Sequence, residues 1–452
     1  MRPLICELDG TLLKTDLRSE RLMRKAKHIL KRVISSDTDS KQTQLDNNAT
    51  NTSLPINEEI FEFLQARRSA GQSLVLRSDE DSEHVTSLLG DKYIFEEVIS
   101  HNNAELLKSK FGEFDYLGTE RTPLSTWQAA TNCFTVETGS KTPEKLKQNN
   151  LKLSQQFSVS RGDAKSIFKS LRVYQWLKNL LVFVPIITSQ QLNNTAALKS
   201  SIIMFFCFSM VASFGYIVND LLDLQSDRSH PVKRTRPFAS GALSVGHGVF
   251  IGIVLLALAG IGGLFLPVEA NLALGIYLML TVLYSLYLKT KLMIDVVALG
   301  GLFTLRVIGG AAAIESELSF YLLSFSIFIF SSLAMVKRFA ELDNLQKRNK
   351  LAARGRGYQV GDIESVRIIG ISLGYMSVFI MGQYINSPLV TQYYNHPKFI
   401  WLLFPLLTFW LGRLWILASR GEVNEDPLIF TIKDTTSLLV VAVSVIILIA
   451  AD

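Results

Sequence analysis

The stretch Ser201-Ile-Ile-Met-Phe-Phe-Cys-Phe-Ser-Met-Val-Ala-Ser-Phe-Gly-Tyr216 runs directly into Ile217-Val-Asn219-Asp220-Leu-Leu-Asp223-Leu-Gln-Ser-Asp227. An apolar helix thus ends in four side chains that carry oxygen ligands. Carboxylates at the end of a membrane-type helix are costly and usually functional. Steps of four place Asn219, Asp223 and Asp227 on adjacent turns of one helical face, with Asp220 beside them. So many anions on one surface repel each other unless cations sit among them. Mg²⁺ with a polyphosphate meets that need, because it takes a few carboxylates and completes its shell with phosphate oxygens and water. The basic run that follows, Lys233-Arg234-Thr-Arg236-Pro237, supplies cations for the rest of a diphosphate. The plainer alternative is a solvated acidic loop balanced by a basic one; the Asn-Asp pair beginning inside the helix argues against it.

Outward from this stretch the chain divides. Residues 1 to about 160 carry charges throughout, whereas beyond about residue 178 long apolar runs alternate with short polar loops. The mean hydropathy of +0.25 averages the two parts. A spanning helix needs about 20 mainly apolar residues. Nine stretches are candidates: 178–191, 199–219, 246–266, 270–288, 293–314, 318–336, 366–385, 398–417 and 434–451. The first is the weakest.

The net charge of +6 is concentrated in a few loops. Lys233 to Arg236, Lys289-Thr-Lys291, Lys337-Arg338 through Arg356, and Arg420 with Lys433 lie in one alternating set; the opposite set has almost no Lys or Arg. By the positive-inside rule the basic loops and the N-terminal part are cytoplasmic, and the C-terminus is outside. The expected location is the inner (cell) membrane, multi-pass. Basic loops between apolar spans suit lipid headgroups or phosphate ligands, and no nucleic-acid partner is expected. The first residues are too short an apolar run for a signal peptide. Cys6, Cys133 and Cys207 are too scattered for a disulfide framework or a zinc site.

Three more polar clusters fall on the same expected side. Arg172, Gln175, Lys178 and Asn179 open the first candidate span with donors suited to phosphate; an aromatic-basic membrane anchor is the alternative. Arg306 lies deep in an apolar span beside Gly309-Gly310, with Asp295 near the end of that span. A buried Arg must face a cavity or an anion. Lys337 and Glu341 close another span four residues apart, a spacing that a plain helix salt bridge would also give.

These motifs resemble the UbiA superfamily of membrane prenyltransferases, whose signature the NDxxDxxxD run matches; the resemblance covers about 165–452. Within it, RVYQWLKNLLVF, YIVNDLLDLQSDRSHPVKRTRP, the Lys-Arg-Phe-Ala-Glu-Leu segment and Glu425-Asp426-Pro427 with Lys433-Asp434 resemble the decaprenyl-phosphate phosphoribosyltransferase branch. Aromatic prenyltransferases of the superfamily carry a second Asp-rich DxxxD motif where this chain has Lys337-x-x-x-Glu341. The resemblance implies an all-α nine-helix bundle, Mg²⁺, a polyprenyl lipid substrate and a diphosphate co-substrate. Asn219, Asp220, Asp223 and Asp227 would hold metal. Asp220, Asp223, Lys337 and Glu341 would be catalytic. Arg172, Gln175, Lys178, Asn179, Lys233, Arg234, Arg236, Lys289 and Arg306 would bind substrate. The expected reaction moves phosphoribosyl to polyprenyl phosphate; prenyl transfer from a prenyl diphosphate to an aromatic or other small acceptor is the alternative.

In the N-terminal part, strands at 3–8, 73–76, 97–99, 114–117 and 133–136 alternate with helices such as 58–70 and 82–89, which predicts an α/β, Rossmann-type parallel sheet over 1–137. A linker is expected at 138–164. The polar insert Ser35–Ser53 reads as disordered, its Asn48 and Asn51 glycosylation matches incidental. Glu7-Leu-Asp9-Gly-Thr resembles the first motif of haloacid dehalogenase-like phosphatases, with Glu7 where that family has its nucleophilic Asp and Asp9 at its acid/base. Ser78 fits the second motif and Lys108 or Lys110 the third, but Gly118-Thr-Glu-Arg-Thr-Pro123 lacks the fourth motif's Asp residues. An inactive domain is expected; the remaining alternative is a membrane-tethered phosphatase.

Overall fold

The computed structural model describes residues 1–34, 54–100, 103–137, 141–158, 162–350, 356–388, 390, 394–423 and 426–451. The insert expected to be disordered, and Glu425, lie outside the described residues. Two compact units emerge: Met1–Leu171 with Tyr216–Gly252, and Arg172–Gly215 with Ile253–Asp452. The boundary therefore differs from a simple cut at residue 165, because 216–252 groups with the N-terminal part.

In the first unit, β1 (Leu4–Glu7), β2 (Leu74–Arg77), β3 (Glu97–Ile99), β4 (Asp115–Gly118), β5 (Asn132–Glu137) and β6 (Leu153–Ser158) form one sheet in the order β3-β2-β1-β4-β5-β6. Every pairing is parallel. Between the strands lie α1 (Leu17–Ile34), α2 (Glu58–Ser69), α3 (Ser82–Leu89), α4 (Ala104–Phe111), α5 (Leu124–Ala129) and α6 (Lys141–Gln148). Successive strand residues point to opposite faces, and a parallel sheet buries both. Leu4 and Cys6 accordingly pack with Ile60, Leu64 and Phe134, while Ile5 packs with Val75, Tyr116 and Trp127.

The expected linker is corrected here: 141–158 supplies α6 and β6. The strand Leu-Ser-Gln-Gln-Phe-Ser is polar because it closes the edge of the sheet, yet its Phe157 is fully buried in the core. The chain reverses direction across the sheet between β1 and β4, so the crevice at the carboxyl ends of those strands is the natural ligand position of this topology.

The membrane part begins with α7 (Ala164–Leu171), still in the first unit, then a 3₁₀ run Val173–Phe183 and α8 (Val184–Thr188). It continues with α9 (Thr195–Leu222), α10 (Leu224–Arg228), α11 (Val245–Gly263), α12 (Val268–Leu286), α13 (Ile294–Ala313), α14 (Phe320–Lys347), α15 (Ile363–Ile385), α16 (Leu403–Ser419), α17 (Pro427–Lys433) and α18 (Thr435–Ala451). Among the described residues seven helices are long and apolar enough to cross a membrane, or eight if α17 and α18, bent by 81°, form one span. That corrects the count of nine. The stretch 178–191 is not a regular span: Arg172 is left-handed at φ 51, and a 3₁₀ run and five helical residues follow.

The core of the second unit is built by α13 to α16, with Met335, Val336, Leu414 and Trp415 at its centre. A Cβ on Gly310 would lie 2.1 Å from the Val182 carbonyl oxygen. The Gly309-Gly310 pair is thus explained by the close approach of the 3₁₀ run to α13.

Candidate functional site

The last turn of α9 carries Asn219 and Asp220, but the helix stops at Leu222. Asp223 has φ −100° and ψ 12° and caps α10, a helix of five residues. The interruption is confined to Asp223: its N–H donates to the Asn219 carbonyl at 2.9 Å and the Asp227 N–H donates to the Asp223 carbonyl at 2.8 Å, so the steps of four persist across it. Arg236, just after a 3₁₀ turn Lys233–Thr235, sends one nitrogen to two of the acidic groups. Its Nη1 lies 3.2 Å from Asp220 Oδ1 and 2.6 Å from Asp227 Oδ2. Both carboxylates are 2% exposed as residues, so a cation between them is an electrostatic necessity. Burial pushes the Asp227 carboxyl above the usual carboxylate range, against the pull of Arg236 and Lys233.

Asp223 is half-buried and pairs with Lys27 of α1, whose Nζ lies 3.8 Å away; the same Nζ donates to the Leu222 carbonyl at 2.5 Å. Lys233 is half-buried, whereas Arg234 is exposed. Among the described residues no three His, Cys, Asp or Glu side chains converge tightly enough to hold a metal ion alone. Magnesium does not require that: it is bound by one or two carboxylates together with substrate phosphates. A point shared by Asp220 and Asp227, already filled by a cationic nitrogen, fits a hard divalent ion in its donor chemistry.

In the second unit the other expected site residues form two buried networks. Arg306 donates from Nε to Asn179 Oδ1 at 2.7 Å, from Nη1 to the Leu302 carbonyl at 2.5 Å and from Nη2 to the Tyr277 hydroxyl at 2.8 Å. Its guanidinium also lies 4.8 Å from the Tyr277 ring centroid. Asn179, fully buried, donates to Ser209 Oγ at 3.0 Å. Arg306 and Asn179 therefore satisfy one another inside the bundle. Gln175 is buried with its side-chain oxygen unpartnered among the described residues, Arg172 is itself the left-handed residue that opens the 3₁₀ run, and Lys289 is half-buried after α12.

The second network centres on α14. Arg338, 1% exposed, donates from Nε to Asp295 Oδ2 at 2.7 Å, from Nη1 to Glu341, and from Nη2 to the Tyr284 hydroxyl at 3.0 Å. Tyr358 donates to Asp295 Oδ1 at 2.8 Å, and Arg356 Nε lies 3.7 Å from Glu341. Glu341 is thus held by Arg338 and Arg356 instead of pairing with Lys337. Lys337 lies where the charges of Lys178 and Asp426 reach it, and Lys178 donates to Asp426 Oδ2 at 2.5 Å. Asp426, quoted above only as part of the Glu425-Asp426-Pro427 segment, joins this group by its pairing with Lys178, 248 residues away.

The crevice of the first unit holds Glu7, 5% exposed, at the end of β1. Its Oε1 accepts from the Tyr116 and Thr122 hydroxyls, both at 2.9 Å. Burial raises its pKa. Burial likewise raises Asp9 to about 6, and Asp9 Oδ1 accepts from the Leu17 amide at 3.2 Å. Ser78 Oγ accepts from the Glu80 amide at 3.0 Å. Lys110 bonds Glu97, and Lys108 is exposed on α4.

The model of the UbiA prenyltransferase family matches residues 182–439. The uncharacterized protein y4nM of Sinorhizobium fredii is 31% identical over 459 residues, covering 96% of this chain and 88% of that protein. A decaprenyl-phosphate phosphoribosyltransferase of Corynebacterium glutamicum is 34% identical over 184 residues, or 40% of this chain and 55% of that protein. The structure of a UbiA homolog from Archaeoglobus fulgidus bound to GPP and Mg²⁺ superposes with a TM-score of 0.50 at 18% identity, over 63% of this chain and 99% of that one.

Proposed function

Because the chain belongs to the UbiA prenyltransferase family, we propose that it moves a phosphoribosyl group from a magnesium-bound diphosphate donor to a polyprenyl phosphate. That it is a multi-pass membrane transferase follows from the family and its spans; the donor and acceptor are the proposal. The observation that carries it is the state of Glu341. Aromatic prenyltransferases of the superfamily have a second acidic motif at this position. Here Glu341 is neutralised by Arg338 and Arg356, Lys178 pairs with Asp426, and Lys337 lies within reach of the charges of that pair. Cations suit the anionic end of a lipid phosphate better than a neutral aromatic ring. The likeness to the corynebacterial phosphoribosyltransferase supports the same reading.

In this reading Asp220 and Asp227, with Asn219 and Asp223, hold the metal, while Lys233 and Arg236 balance the charge of the diphosphate. When bound, Mg²⁺ stabilises the charge of the departing pyrophosphate. An oxygen of the lipid phosphate forms a bond to the ribose anomeric carbon. The bond from that carbon to the pyrophosphate oxygen breaks, and its electron pair leaves with pyrophosphate. The nucleophile is already an anion, so no side chain need remove a proton. The contribution of the protein is positioning and electrostatic complementarity. Arg306 and Asn179 have their donors engaged within the second unit.

We read the first unit as a degenerate haloacid dehalogenase-like domain. Glu7 is capped by two hydroxyls and a longer side chain than Asp would misplace an attacking oxygen. The asymmetry of basic loops supports a cytoplasmic N-terminal part and an inner-membrane location. Mass spectrometry of lipids from membranes given phosphoribosyl pyrophosphate tests the reading. A polyprenyl-phosphate species heavier by one phosphoribosyl group is expected; a prenylated aromatic acceptor, formed instead from prenyl diphosphate, would replace it.

A further inference from the structure

We infer that α1 of the N-terminal part is a positioning element for the acidic segment, anchored by Glu20 on Arg228 and aided by Lys27. The inference rests on the metal-diphosphate role of that segment. A helix of five residues such as α10 gains too little from its own hydrogen bonds to persist alone. Backbone bonds tie it to α9, from Asp223 N–H to the Asn219 carbonyl at 2.9 Å and from Asp227 N–H to the Asp223 carbonyl at 2.8 Å, and tertiary contacts supply the rest of its anchoring. Arg228 is the last residue of α10 and follows Asp227 directly, so whatever fixes one fixes the rotation of the other about the helix axis.

Arg228 is 3% exposed, and Glu20 receives it bidentately: Nη1 donates to Oε2 at 2.9 Å and Nη2 to Oε1 at 2.6 Å. The Nε of Arg228 adds a bond to the Ala239 carbonyl at 3.3 Å. Planar, paired geometry of this kind holds direction as well as distance. One further α1 side chain reaches the segment two turns along, where Lys27 donates to the Leu222 carbonyl and approaches Asp223. A Lys at a helix C-terminus complements the carbonyl dipoles there. Glu20 and Lys27 are seven residues apart and so share one face of α1. The start of the same helix is tied to the crevice, since Asp9 accepts from the Leu17 amide. The sheet, α1 and the acidic segment form one continuous set of polar contacts. Glu20 and Lys27 touch no reacting atom in this account; they act through Asp223 and Asp227.

The test uses the full chain in lipid nanodiscs, with Glu20→Arg, Arg228→Glu, the double exchange and Lys27→Met. Hydrogen exchange in peptides covering 216–236 is expected to rise at least tenfold in each single reversal and to return toward the parent in the double exchange. Peptides covering β1 and β4 serve as the folding control and are expected to be unchanged. For Lys27→Met, which leaves the buried pair intact, turnover is expected to fall and the Mg²⁺ requirement to shift severalfold, with the lipid KM unchanged. Misplacement of about 1 Å costs on the order of 100-fold in rate. Parent-like exchange in both reversals, or a folded double exchange that stays as mobile as the singles, overturns the inference. So does a Lys27→Met enzyme with parent kinetics. If no substrate pair gives turnover, the transferase reading fails, while the exchange data still decide this one.

Discussion

Arg236 Nη1 donates to Asp227 Oδ2 at 2.6 Å, joining a residue beyond a 3₁₀ turn to a helix of five residues. The contact shows that the acidic run is organised by a cation within its own loop as well as by the pitch of a helix. It also opposes the burial that raises the Asp227 pKa.

Asp227 must be charged to hold a cation, and burial raises its pKa despite Arg236. The acid limb of activity is therefore expected above the usual carboxylate range, with kcat/KM falling as the pH drops through it. Replacing Arg236 by Met removes a lowering influence, so the limb should move to higher pH. Activity at neutral pH should fall on the order of 100-fold, as on loss of one well-placed donor. Profiles of kcat/KM against pH for both proteins check this; an unmoved limb would contradict it.

Asp9 makes a separate prediction about stability. Its folded pKa is about 6 against an ordinary 3.8, owing to burial first and to Asp16 and Asp79 among its neighbours. The folded state therefore binds its proton more tightly than the unfolded state does. The resulting stability is fully present below about 3.8 and is lost as the pH rises through about 6. Asp9→Asn keeps an oxygen for the Leu17 amide but cannot ionise. Its melting temperature should decline less than that of the parent between pH 4 and pH 7 (roughly the span of the two pKa values). Parallel curves for the two proteins would show that Asp9 does not titrate there.

In the bundle, Arg338 and Asp295 are 1% and 0% exposed at their side chains. Removing one partner strands the other charge, at a cost of about 3–5 kcal/mol. Arg338→Met should lower the thermal midpoint in detergent sharply, and Arg338→Met with Asp295→Asn should recover much of the loss. The paired variants distinguish a stranded charge from lost packing, because packing loss would make the double variant worse.

Much of this was legible in the sequence. The parallel sheet followed from β-rich runs alternating with helices, and β1, β2, β4 and β5 lie within one or two residues of their expected limits. The acidic run was visible because carboxylates at the end of an apolar helix are so improbable without a task. Three features escaped for physical reasons. The edge strand β6 needs only Phe157 in the core, so its polar residues read as linker. The helix break at Asp223 is a cap geometry, which residue spacing does not reveal. Glu20, Lys27 and Asp426 act across 195 to 248 residues of chain, and only the folded molecule brings them to Arg228, Leu222 and Lys178. The expected first span, 178–191, fell short because its start belongs to a 3₁₀ run whose buried Asn179 bonds Arg306 of α13 and Ser209 instead of facing lipid.

The central claim is that the acidic segment carries a metal-bound diphosphate for phosphoribosyl transfer. The most direct measurement offers purified protein ribose-labelled phosphoribosyl pyrophosphate and polyprenyl phosphate with Mg²⁺, and follows label entering the lipid phase. The account predicts labelled lipid and one pyrophosphate released per transfer. It also predicts loss of both on chelation of the metal, and in Asp220→Ala and Asp223→Ala proteins that remain folded. Undiminished transfer by those two variants, or label that never enters the lipid while a prenyl diphosphate is consumed, would contradict it.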